Sequence, residues 1–81
     1  MNEKEMRELE ADLYIALTLL DVAVTTRDEE TAQRNRAKAR HAYDSVLRHL
    51  QNFRRDLAQG QVIYRNLGLL KAGLQHIGEQ F

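Results

Sequence analysis

Three histidines, twelve basic and twelve acidic residues are the chemically active side chains of this 81-residue chain. His41 stands three positions before Asp44, and His76 three before Glu79. On a helix that spacing brings each pair of side chains together on one face. A zinc site needs three or four converging ligands, and a di-metal site in a bundle needs several inward-pointing carboxylates. The apolar seams traced below contain no such set. The chain has no cysteine, and no glycine-rich phosphate loop, nucleophile elbow or zinc-ligand spacing occurs in it. The expectation is a protein that is not an enzyme, with no catalytic residue, no metal and no cofactor.

A second candidate chemistry is phosphate binding. The stretch TAQRNRAKARHAYDSVLRHL, Thr31 to Leu50, holds seven basic or histidine residues. Wound at about 100° per residue, Arg34, Lys38, His41, Arg48 and Arg55 fall within an arc of about 100°. That arc lies almost opposite Ala39, Leu50 and Leu57, where a solvated face must be and where a phosphate-binding stripe would also be. No aromatic residue is interleaved with it to stack on bases. Arg36, Arg40 and Arg54 border the apolar side instead, within reach of acids on the first helix.

Charge is unevenly placed although the net is zero. Residues 1–30 carry nine acidic and three basic side chains, residues 31–58 two acidic and seven basic. In an antiparallel hairpin, Glu3, Glu5, Glu8, Glu10 and Asp12 would lie beside Arg48, Arg54 and Arg55. Exposed pairs of this kind contribute about 0–1 kcal/mol each but help to choose partner and register. Such asymmetry fits an acidic or basic binding arm or, more simply, two neighbouring helices of opposite sign, whose acids would repel phosphate.

The elements that must position these groups are helices. Proline is absent, aromatics are few, and alanine, leucine, glutamate, glutamine and arginine dominate. In a first helix, about 3–25, Met6, Leu9, Leu13, Ala16, Leu20 and Ala23 recur at alternating spacings of three and four, a coiled-coil seam that Leu17 and Val24 widen. A second stripe, Ile15, Leu19 and Val22, runs on nearly the opposite side. A helix apolar nearly all round needs two neighbours. The phase breaks at TTRDEET, where Thr26 with Glu29 offers a capping box and Asp28 a second N-cap. Either a tight reversal or a continuous, kinked helix fits that stretch.

A second helix is expected over about 28–58, with Ala32, Asn35, Ala39, Ala42, Tyr43, Val46, Leu50, Phe53 and Leu57 inward and Gly60 as its stop. Its length of about 45 Å exceeds what a compact chain with a radius of gyration near 12 Å accommodates, which predicts an elongated shape. Asn35 among small alanines could fix register through a buried hydrogen bond, or lie in water. The third helix, about 61–79, carries Ile63, Leu67, Leu70, Leu74, Ile77 and Phe81. Glycines 68, 73 and 78 weaken it, so packing must hold it.

The segment ARHAYDSVLRHL resembles the second helix of a tetratricopeptide-type hairpin, with Ala39, Tyr43 and Val46 at packing positions. The pattern of that family's first helix is not found upstream, and the likeness names no family. The charged start MNEKEMRELEADL lacks the apolar core of a signal peptide, and LYIALTLLDVAV is too short to span a bilayer. The chain thus reads as one all-α domain, residues 1–81: a cytoplasmic, elongated antiparallel three-helix hairpin or bundle with coiled-coil-like seams. Its expected role is protein–protein interaction, first as a homo-oligomer (a dimer) or with a partner helix, through Ile15, Leu19 and Val22. The alternative is a small nucleic-acid-associated regulator using Arg34, Lys38, Arg48 and Arg55.

Overall fold

The computed structural model describes residues 3–51 and 57–81, with the backbone alone for 57–59. Three helices follow one another: α1 Glu3–Thr25, α2 Glu29–Gln51 and α3 Leu57–His76. They run up, down and up, every pair in contact, as an antiparallel all-α bundle. Its extents are 41 × 22 × 17 Å and its radius of gyration is 13.0 Å, above the value of about 12 Å for a compact chain of this length. No helix among the described residues is long and apolar enough to cross a membrane.

The seams are where the spacing places them. Leu9, Leu13, Ala16 and Leu20 of α1 meet Ala39, Tyr43, Val46 and Leu50 of α2 and Ile63, Leu67, Leu70 and Leu74 of α3 in one buried cluster. Met6, Leu17, Leu19, Ala42, Leu47, Tyr64 and Ile77 pack around it. Each large aliphatic side chain buried there is worth about 1.5–3 kcal/mol, against about 0–1 for an exposed ion pair. The core therefore sets the fold, and the charges trim it. Val24 departs from its expected place on the inner stripe and is exposed, because α1 ends one residue later at Thr25. Asn35 is half-buried rather than sealed in the core. Phe53, Arg54 and Arg55 lie outside the described residues, as does the side chain of Leu57.

The reversal between α1 and α2 takes three residues, Thr26, Arg27 and Asp28. The Thr26 amide closes the last turn of α1 onto the Val22 carbonyl (2.9 Å). Asp28 is the N-cap of α2: its Oδ2 accepts from the Thr31 amide at 3.1 Å and from the Thr31 hydroxyl, and its carbonyl takes the Ala32 amide at 2.9 Å. Both Thr31 bonds favour the charged form, side chain first, and hold the Asp28 carboxyl below its ordinary 3.8. The Thr26–Glu29 capping box does not form in its place. The Thr26 hydroxyl oxygen instead accepts from the Asp28 amide (3.2 Å), tightening the turn. Glu29 and Glu30 then occupy the first turn of α2, at the positive end of its dipole.

Gly60 is not the stop of a long second helix. It is buried within α3, three residues before Ile63 on the same seam, where a missing side chain is a packing feature. Residues 57 and 58 accordingly begin α3 instead of closing α2. Gly73 allows α1 and α3 to approach closely, since a Cβ there would lie 2.4 Å from Leu20 Cδ2. The stop of α3 is Gly78, whose φ of 100° is the left-handed conformation glycine tolerates. The Gly78 amide bonds the Gln75 carbonyl (3.0 Å) and the Glu79 amide the Leu74 carbonyl (2.9 Å), the paired closure of a Schellman motif. The helix thus ends three residues before the expected Glu79.

Candidate functional site

The stripe Ile15, Leu19, Val22 lies on one face of α1, and packing divides it. Leu19 is half-buried and packs against the core. Ile15 and Val22 remain in solvent, 56% and 38% exposed. Tyr14, 73% exposed, stands beside them. Ile15 also rims an open groove between α1 and α2, lined further by Asp12, His41, Ala42, Ser45 and Val46. Spacing alone did not single out Tyr14, or the exposed Val62 and Leu69 of α3. Their signal was phase: none of the three falls on its helix's inner seam.

The basic stripe of α2 is in water. Arg34, Lys38, His41 and Arg48 are all exposed, while Arg55 lies outside the described residues. Asp12 of α1 shares the groove with His41, so acidic and basic helices do lie side by side. The expected histidine–carboxylate pairs are displaced by arginine. Asp44 accepts from Arg40 Nε through both oxygens at 3.1 Å. Glu79 lies beyond the end of α3 and goes to Arg36, at 2.7 Å. Among the described residues no three His, Cys, Asp or Glu side chains converge as metal ligands do.

Arg36 and Arg40 were expected to reach acids of α1, and they turn the other way. Once Gly78 has ended α3, the chain lies across α2, where the two arginines meet it. Arg36 Nε and Arg40 Nη1 address opposite oxygens of Glu79, at 2.7 and 3.4 Å. Arg36 Nη1 also donates to the Ile77 carbonyl (3.2 Å) and Arg40 Nη1 to the Gln80 carbonyl (2.6 Å). The Arg40 guanidinium sits 3.9 Å above the Phe81 ring, and Lys71 Nζ is 5.5 Å from its centre. Tyr43 meets the same ring edge-on, with centroids 5.0 Å apart. The seam pattern read Phe81 as a further inward residue of α3. It is a surface contact instead, 45% exposed, because the Schellman turn takes it off the helix.

No family model matches the chain, and no curated protein and no solved structure matches it either.

Proposed function

We propose that this chain is a small helical protein–protein interaction module that self-associates, as a dimer in the first instance, through the outer face of α1. The observation that carries the reading is the exposure of Ile15 and Val22 on a helix whose inner seam is already filled. An apolar residue in solvent is unremarkable singly. Here there are two, with Tyr14 beside them, and Ile15 borders a groove that Ala42 and Val46 line together with Asp12, His41 and Ser45.

A two-fold pairing uses the same patch on both copies, so each Ile15 would enter the groove of the other. Burying Ile15 and Val22 on both copies gains at most about 1.5–3 kcal/mol per side chain. Only the surplus over an association cost of about 4–15 kcal/mol shows as affinity. A weak, concentration-dependent dimer is the expected result. Size-exclusion chromatography with light scattering at tens of micromolar should approach twice the 9.4 kDa chain mass. Joint replacement Ile15→Glu and Val22→Glu should return the mass to that of one chain, with helical circular dichroism unchanged. A monomer at every concentration sinks self-association and leaves a partner helix as the occupant of that face.

A further inference from the structure

The segment after α3 is held in a way that describes a ligand. Helix hydrogen bonding ends when the Glu79 amide closes on Leu74, so Glu79, Gln80 and Phe81 depend on side chains of α2 and α3. Each gets a specific partner: two guanidiniums for one carboxylate, an arginine for the Gln80 carbonyl, and two cations with a tyrosine edge for one ring. None of the three belongs to the buried core. Their departure would open Tyr43 and leave Arg36, Arg40 and Lys71 around it, with Asp44 as the acid on Arg40. Next to Arg36, an open groove continues the site between the helix ends, lined by Ala23, Glu29, Ala32, Gln33 and Ile77. The small side chains of Ala23 on α1 and Ala32 on α2 leave that room.

We propose that this is a peptide-recognition site, filled in cis by the chain's own Glu79–Phe81 and open to a partner's extended segment of the same chemistry. That segment carries an acid, an aromatic two residues after it, and an apolar residue two before it. The acid is read by Arg36 and Arg40 together, a charge-assisted contact that a neutral amide cannot replace. The aromatic is read by its face, to Arg40 and Lys71, and by Tyr43 at ring angles of 77°. The apolar residue enters the groove beside Arg36, against Ala32 and Ile77. The own segment competes because it is tethered, at an effective concentration in the millimolar range or above. This surface is separate from the outer face of α1, so the inference stands or falls independently of self-association.

The test uses the full chain and a capped pentapeptide of residues 77–81 as probe, followed by NMR titration. The double variant Glu79→Ala, Phe81→Ala should keep its helical circular dichroism and bind the probe saturably. The unaltered chain should need at least about 10-fold more probe, because the tethered segment competes. Adding Arg40→Gln to the double variant should abolish binding, and a probe with glutamine for its glutamate should fail. The proposal is overturned by no saturable binding by the folded double variant, equal binding by the unaltered chain, equal binding of the glutamine probe, or loss of helix in the double variant. The last would make the segment part of the fold rather than a ligand. Displacement of the probe by equimolar inorganic phosphate would also overturn it, since the site would then read charge alone.

Discussion

Two chain reversals meet at one end of the bundle, and they are built on different principles. The turn between α1 and α2 is local: Thr26, Asp28 and Thr31 satisfy one another within six residues. The end of α3 starts locally, with Gly78, and is then completed by arginines about forty residues away in sequence. The first could form in an isolated hairpin, whereas the second requires that α2 and α3 have already docked. Local chemistry decides where a helix stops, and long-range chemistry decides where the chain goes next.

The sharpest way to break this contrast is at Gly78. Gly78→Val places a branched side chain at a φ of 100°, which costs about 1–2 kcal/mol from backbone conformation alone. The same change pulls Glu79 off its arginines. A urea denaturation midpoint should fall accordingly, and the Phe81 ring signals should lose their contact with Tyr43.

Asp28→Ala tests the local turn and should lower the melting temperature by about 4–8 °C, the scale of a lost N-cap in a small domain. The pH dependence gives the sign. A carboxyl depressed below 3.8 in the fold contributes stability above that value and loses it as pH falls through the lowered one. The gap between variant and parent should therefore be level from neutral pH to about 5, then close in acid. A gap that persists at the lowest pH would mean that Asp28 acts by something other than its charge.

The smallest effects separate propensity from packing on one helix. A Cβ at position 68 meets nothing within 4 Å, so Gly68→Ala should stabilise by about 0.5–1 kcal/mol. Gly73→Ala gains the same propensity but must displace Leu20, an overpacking cost of about 1–3 kcal/mol. Thermal melts should rank the Gly68 variant above the parent and the Gly73 variant below it. Equal melting of the two would show that Leu20 moves aside freely.

Much of this was legible in the chain, for a physical reason. Alternating spacings of three and four are a property of neighbouring turns, so Leu9, Leu13, Ala16 and Leu20, or Ile63, Leu67, Leu70 and Leu74, announce an inner face unaided. What failed depended on context the spacing does not carry. Gly60 looks like a stop until the α3 seam is followed back through it. Val24 belongs to the right phase but stands one residue from the helix end. Arg36 and Arg40 border the apolar side, as their angles say, yet the angles are silent on which neighbour they meet. Acids on α1 outnumber Glu79, but only Glu79 is delivered by a turn that aims it at α2. Ile15 and Val22 were legible as apolar, while the division of their stripe by Leu19 needed the packing of the whole bundle.

The three-residue reversal has a consequence in time. Closing so short a loop is fast and entropically inexpensive, so α1 and α2 should zip first and α3 dock onto the finished hairpin. The same variants report the sequence of events. Loss of the Asp28 cap should chiefly slow refolding, and strain at Gly78 should chiefly hasten unfolding. The third helix would then be the part that leaves earliest and returns last, while the hairpin beneath it persists as its template.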